Sequence, residues 1–192
     1  MATPQGVFVH PHALCESEQV GEGTRVWAFA HVMKGAKVGK GCNLCDHSFV
    51  ESGAVLGDNV TVKNSVSVWD CVEVGNNVFI GPNAVFTNDL NPRAEVKKPR
   101  EQWVPTRIKD GASIGANATI VCGITLGRYA FVAAGAVVAS DVPDFALVMG
   151  VPARPRGWMC KCGERLKLKG TRGRCGKCGS SFVKTKQGLR EK

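Results

Sequence analysis

Large apolar residues fall on every sixth position of this 192-residue chain. Counting from Phe8, the ruler lands on Leu14, Val20, Val26, Val32, Val38, Leu44, Val50, Leu56, Val62, Val68, Val74, Ile80 and Phe86. It stops through 87–107 and resumes at Ile108, Ile114, Ile120, Leu126, Val132 and Val138, twenty hexads in all. Glycine often follows the aliphatic residue (21, 39, 57, 75, 81, 115, 127), and the fifth place is small or β-branched, as in Ala30, Ala36, Cys42, Ser48 and Ala54. A period of six matches neither a 3.6-residue helix nor a two-residue strand alternation. It matches a short strand followed by a corner, with the aliphatic side chain inward. Three such edges close a coil of eighteen residues, and stacked coils bond through their backbones at about 4.8 Å. Twenty hexads therefore predict six to seven coils.

The charge is distributed unevenly. Lys and Arg number 25 against 16 Asp and Glu, a formal +9. Residues 154–192 hold 13 of the basic residues and two acids, so the body 1–153 carries −2 and the tail +11. The overall basicity raises nucleic acid as a partner, whereas the split confines that possibility to the tail. No apolar run approaches the roughly 18 residues of a membrane span, and the N-terminus lacks a basic-then-apolar signal pattern. A cytoplasmic location is the default expectation.

The hexads resemble the [LIV]-[GAED]-x-x-[STAV]-x repeats of the hexapeptide acyltransferases over residues 7–156. That resemblance implies an all-β fold, a left-handed parallel β-helix interrupted by one long loop insertion and followed by a small Cys-rich segment. It further implies a homotrimer with acetyl-CoA held between neighbouring prisms. The division is then a β-helix domain at 1–157, with a loop at 87–107, and a basic tail at 158–192.

Ile80-Gly81-Pro82-Asn83 resembles the active-site segment of galactoside and maltose O-acetyltransferases, but no His follows within the loop. Deprotonating a sugar hydroxyl needs a general base; a neutral amine is already nucleophilic. The stretches GEGTRVWAFAHV (21–32), VTVKNSVSVWDCVEVGNNVFIGPNAVFTNDLNPR (60–93) and GASIGANATIVCGITLGRYAFVAAGAVV (111–138) resemble the bacterial UDP-2-acetamido-3-amino-2,3-dideoxy-D-glucuronate N-acetyltransferases of surface-polysaccharide (lipopolysaccharide, O-antigen) synthesis. The resemblance implies Asn83 as the catalytic amide and a UDP-linked amino sugar uronate as acceptor. Lys63, at a corner where Gly is usual, suits a diphosphate or uronate, with a solvated lysine as the alternative. His31, read as a turn residue, is either a sugar contact or a surface histidine. In the loop, Asn88, Asp89, Arg93 and Arg107 are substrate candidates, and a charged arm against the next subunit is the competing reading. The run Gly150-Val151-Pro152-Ala153-Arg154-Pro155-Arg156 resembles the family's closing segment, which implies Arg154 and Arg156 on CoA phosphates and Ala116 and Ala134 along the pantetheine groove. Another nucleotide-linked amino sugar remains the alternative acceptor.

Nine cysteines in an intracellular chain do not make a disulfide framework. Cys160-Lys161-Cys162-Gly163 and Cys175-Gly176-Lys177-Cys178-Gly179 have the spacing of a small zinc ribbon, Cys160, Cys162, Cys175 and Cys178 being the ligands. Reduced, empty cysteines on a flexible tail are the alternative. The histidines (10, 12, 31, 47) all fall in the first three coils, which disfavours the three-His zinc set of a γ-carbonic anhydrase. In a different class, the solenoid is a scaffold and the ribbon contacts nucleic acid.

Overall fold

In the computed structural model, which describes residues 5–192, the body is a three-sided parallel β-solenoid with no α-helix among the described residues. The first face stacks Phe8–Val9, Arg25–Val26, Asn43–Leu44, Thr61–Val62, Phe79–Ile80, Ser113–Ile114, Phe131–Val132 and Ala146–Met149. The second stacks Leu14–Cys15, His31–Val32, Phe49–Val50, Ser67–Val68, Val85–Phe86, Thr119–Ile120 and Val137–Val138. The third holds Lys37–Val38, Val55–Leu56, Val72–Val74, Thr106–Ile108 and Thr125–Leu126. The predicted six to seven coils become eight levels on the first face, because Ala146–Met149 adds a strand beyond the last hexad.

Each hexad strand is two or three residues long, Ala146–Met149 beyond the last hexad being four, because its only task is to aim one side chain inward before the next corner. Val26, Val32, Leu44, Val50, Val62, Ile80, Ile114 and Ile120 are fully buried, and the fifth-place Ala36, Cys42, Ala54, Ala112 and Ala118 fill the space behind them. The ruler errs only in the first coil. Leu14 pairs with His31, a step of 17, whereas Val20 pairs with Val38, a step of 18. One residue fewer between Cys15 and Val20 shifts the alternation, so Phe8 and Leu14 are each 46% exposed while Val9 and Cys15 pack on the core.

Two columns at the corners explain the residue choices. At the place after the aliphatic residue, a Cβ on Gly39 would lie 2.5 Å from the Gly57 carbonyl carbon, so the next coil excludes a side chain at that position, although Trp27, Lys63 and Ala133 fill the same place in other hexads. Two places later the backbone takes positive φ in nearly every hexad, for example Phe29 (59°), His47 (58°), Asn59 (56°), Asn83 (57°) and Asn117 (56°). Gly and Asn tolerate this left-handed conformation best.

Past the solenoid, Arg154–Met159 folds back antiparallel on Ala146–Met149 and pairs with Arg165–Leu166. A four-stranded antiparallel sheet follows, comprising Leu168–Lys169, Arg172–Arg174, Ser181–Thr185 and Gly188–Glu191. Its inner side makes a second small core in which Cys160, Leu166, Cys175, Phe182 and Leu189 meet Phe145 and Tyr129 of the last coil. Asp144 closes the junction by donating its N–H to the Gln187 carbonyl (3.0 Å) and accepting from the Leu189 N–H (3.0 Å).

Gly39→Ala should lower stability by about 1–3 kcal/mol because backbone must move. Gly135→Ala, with open space around its Cβ and only a φ of +68° to strain, should cost about 1 kcal/mol. Urea-denaturation midpoints measure both, and the reverse order would contradict the stacking argument.

Candidate functional site

The edge between the first and second faces collects four of the predicted residues. Lys63, Asn83, Ala116 and Ala134 stand on four successive coils of that edge, at about 4.8 Å per coil. Asn83 occupies the left-handed corner place. Its N–H donates to the Asn64 carbonyl (3.1 Å), and its exposed side chain has no hydrogen-bond partner among the described residues. Lys63 has no carboxylate within ion-pair distance among the described residues, and its charge opposes the upward push of burial on the Cys45 thiol.

The backbone along this edge differs from that between the third and first faces. At the edge between the third and first faces, the corner N–H groups are capped by carboxylates and amides of the next coil. Lys40 donates to Asp58, Asp58 to Asn76, Asn76 to Asp110 and Arg128 to Asp144, at 2.7–2.8 Å. On the Asn83 edge the equivalent residues are Asn64, Pro82, Ala116 and Ala134; the last three carry no side chain able to cap a neighbour, and the Asn64 side-chain amide has no hydrogen-bond partner among the described residues. The N–H groups of Asn64, Ala116 and Ala134 have no partner among the described residues, nor has the Ala134 carbonyl, while the Ala116 carbonyl accepts from Gly135 (2.8 Å). Unpaired peptide groups beside a small-residue corner form a strip suited to another amide-bearing chain. The succession of Pro82, Ala116 and Ala134, where the other edge has Asp and Asn, becomes a signal only once the hexads are sorted by edge.

His31 opens a strand on the second face; it does not lie on a turn. Its side chain is half-buried, its Nε2 lies 2.9 Å from Glu16 Oε2, and its ring meets Phe49 edge-on. Register places it three coils from the level of Asn83, about 14 Å along the axis. Sequence reasoning missed Glu16, because the pairing depends on the short first coil. It also missed Phe29, 58% exposed on the Asn83 edge and stacked between His12 (5.6 Å) and His47 (5.0 Å).

The inserted loop leaves the edge between the second and third faces, and its irregular part ends at Pro105. Phe79 pairs with Ser113, a step of 34 in place of 18, so sixteen residues are added. Much of the loop's charge is used internally. Asp89 is held by Lys98; Arg100 clamps Asp70 with both Nε and Nη2, the latter at 2.8 Å. Arg107 lies in a strand of the third face, paired with Glu73 at 3.3 Å. Arg93 and Lys97 have no carboxylate partner among the described residues, and Asn88 bonds through its carbonyl to the Val104 N–H. Within one chain, therefore, Asn88, Asp89, Arg93 and Arg107 do not share an edge with Asn83.

In the tail, Arg154 and Arg156 are exposed on the strand leading out of the solenoid, and the Arg156 carbonyl accepts from Arg165 (2.7 Å). The sulfurs of Cys160, Cys162, Cys175 and Cys178 all lie within 4.8 Å of one another, with Cys160–Cys178 at 3.5 Å and Cys162–Cys175 at 3.6 Å. Hydrogen bonding from Ser180 draws the Cys178 thiol down to about 6. No other His, Cys, Asp or Glu cluster of metal-binding geometry occurs among the described residues.

The Arg100 guanidinium holds the Asp70 carboxyl below its ordinary 3.8. Its folded value is depressed, so the stabilisation is present at neutral pH and is lost as pH falls through that depressed value. Arg100 is 63% exposed, so solvent screening keeps the contribution of the pair small. Asp70→Asn should speed amide exchange of the loop about five-fold at pH 7, and the wild-type loop should loosen similarly only below pH 4. Unchanged exchange in the variant would contradict this anchoring.

Comparison with known proteins agrees with the geometry. The family model for bacterial transferase hexapeptide (six repeats) matches residues 53–88 and 105–140, stopping on either side of the loop. A dTDP-3-amino-3,6-dideoxy-alpha-D-galactopyranose 3-N-acetyltransferase of Aneurinibacillus thermoaerophilus is 47% identical over 175 residues, 91% of this chain and 90% of that protein. The bifunctional protein GlmU of Brevibacillus brevis is 34% identical over 75% of this chain, which spans only 29% of it. Among solved structures, the acetyltransferase domain of PglB from Neisseria gonorrhoeae in complex with acetyl coenzyme A superposes with a TM-score of 0.56 at 25% identity, covering 80% of this chain and 58% of that one. The stacked hexads, the inserted loop and this near full-length relative make the chain a member of the hexapeptide-repeat bacterial transferases, grouped with the sugar N-acetyltransferases among them.

Proposed function

We propose that the protein transfers an acetyl group from acetyl-CoA to the 3-amino group of a nucleotide-linked amino sugar. The observation that carries this reading is the Asn83 edge, where an unengaged amide, a free lysine and a strip of unpaired backbone groups lie in line on successive coils. The pantetheine arm runs along that strip, its amides meeting Ala116 and Ala134, with CoA phosphates toward Arg154 and Arg156. Asn83 accepts a hydrogen bond from the incoming amine or donates to the oxyanion. The neutral amine attacks the thioester carbonyl, the new C–N bond forms, and the C–S bond breaks. The departing thiolate takes the amine's surplus proton, directly or through water, so no general base is required. Positioning supplies much of the acceleration. The sites join in a homotrimer, where a neighbour's loop brings Asn88, Asp89, Arg93 and Arg107 toward this edge. His31, held by Glu16, is reserved for the nucleotide portion.

The acceptor we favour is UDP-2-acetamido-3-amino-glucuronate, in cytoplasmic synthesis of surface polysaccharide, with Lys63 facing its carboxylate or diphosphate. A 3-amino-6-deoxy sugar on dTDP is the second reading, favoured by the acceptor in the name of the 47% identical relative. Thiol release from acetyl-CoA with both acceptors distinguishes them. Lys63→Ala should raise KM for the preferred nucleotide sugar about tenfold with little change in kcat; activity with no amine would overturn the transferase reading. Asn83→Gly keeps the left-handed corner while removing the amide, and should lower kcat about 10²- to 10³-fold without loss of stability. Near-normal turnover would remove Asn83 from the reaction.

The four tail cysteines suit one structural zinc. In a tetrahedral site with Zn–S near 2.3 Å, the sulfurs sit about 3.8 Å apart, close to the observed pairs. Four thiolate ligands would supply folding energy that so small a core lacks. Metal analysis should find one zinc per chain, and Cys175→Ser should abolish it while exposing the tail to proteolysis; a metal-free, equally protected wild type would contradict the assignment.

A further inference from the structure

The four-stranded tail sheet presents a second, independent surface. Register places Lys169 opposite Arg172, Arg172 opposite Val183 and Val183 opposite Arg190. In the next row Arg174 lies opposite Ser181, whose carbonyl accepts from the Lys192 N–H, and Lys167 precedes Leu168, which faces Gly173. Residues two apart on a strand, and residues directly opposite across strands, share one side of a sheet. Lys167, Lys169, Arg172, Arg174, Arg190 and Lys192 therefore project together, while Phe182, Leu189 and Leu168 on the other side pack into the small core.

All six cations are exposed, and none has a carboxylate partner among the described residues. Glu191, on the opposite side, is taken by Lys161 at 2.8 Å. Like charges directly opposite, such as Lys169 and Arg172, destabilise a sheet, so this arrangement gains from a bound counter-anion. The side is concave: a cavity of about 620 Å³ is lined by Lys167, Lys169, Arg172, Arg174, Ser181 and Lys192 together with Gly173 and Phe182, Arg190 standing outside it. That volume lies within the ~300–1,000 Å³ typical of small-ligand sites. No exposed aromatic ring lies on this side to stack a base, so recognition rests on charge, with arginine forks matched to phosphate oxygens.

We propose that this concave cationic side binds a small ligand carrying a di- or triphosphate. Calorimetry of the full chain with inorganic triphosphate, and separately with a nucleoside triphosphate, at about 0.1 M salt tests it. Saturable binding of one anion per chain is expected. The double variant Arg172→Gln/Arg174→Gln should weaken it at least tenfold, whereas Lys184→Gln/Lys186→Gln, which removes equal charge off this side, should change it less than twofold. Similar affinity for both anions would assign recognition to the phosphates; a nucleoside requirement would add a base contact to the same site. The proposal fails if neither anion saturates, if both double variants weaken binding equally, or if an oligonucleotide displaces triphosphate at far lower concentration. It also fails if Arg172→Gln/Arg174→Gln raises KM for acetyl-CoA, since the surface would then belong to the cosubstrate.

Discussion

Backbone hydrogen bonding between coils is the constraint on which the rest of the structure depends. Successive strands must approach to about 4.8 Å, and at that spacing a Cβ at Gly39 or Gly115 would enter the neighbouring backbone. Each corner must therefore turn within four residues, which forces one of them into left-handed backbone and directs the adjacent N–H outward. Every coil thus leaves outward-pointing amides. The edge between the third and first faces and the Asn83 edge differ in what meets those amides. Asp58, Asn76, Asp110 and Asp144 close one edge from within, while Pro82, Ala116 and Ala134 leave the Asn83 edge open.

The chemistry follows from that asymmetry. Asn83 suits its corner for a structural reason, tolerance of positive φ, and the same geometry holds its amide in solvent on the open edge. The residue needs no special strain to be placed there, since Asn59, Asn77 and Asn117 share the conformation; what distinguishes Asn83 is its neighbours. The absence of a histidine at this level fits an amine acceptor, whose proton leaves after attack.

Much of the fold was legible because a period of six imposes itself on residue identity. Val62, Ile80 and Ile114 are inward for the reason the ruler gives, and the corner glycines are required by the coil above. The first coil was misread because a one-residue deletion leaves the spacing of Phe8 and Leu14 intact while reversing their direction. The site was only partly legible. Lys63, Asn83, Ala116 and Ala134 share one edge, which hexad arithmetic alone assigns. Asp89 and Arg107 were found in ion pairs with Lys98 and Glu73, partners 9 and 34 residues away whose proximity no local pattern encodes. Likewise the excess charge of +11 in residues 154–192 gave no hint that six of those cations line one side of a sheet, which depends on cross-strand register.

The most direct test of the central claim is a crystal structure of the protein with CoA and a nucleotide-linked 3-amino sugar. The sugar nitrogen should lie within hydrogen-bond distance of the Asn83 amide, facing the CoA sulfur, with the pantetheine arm along Ala116 and Ala134. A sugar bound elsewhere, or an amine held by His31 and Glu16 with Asn83 in solvent, would contradict it.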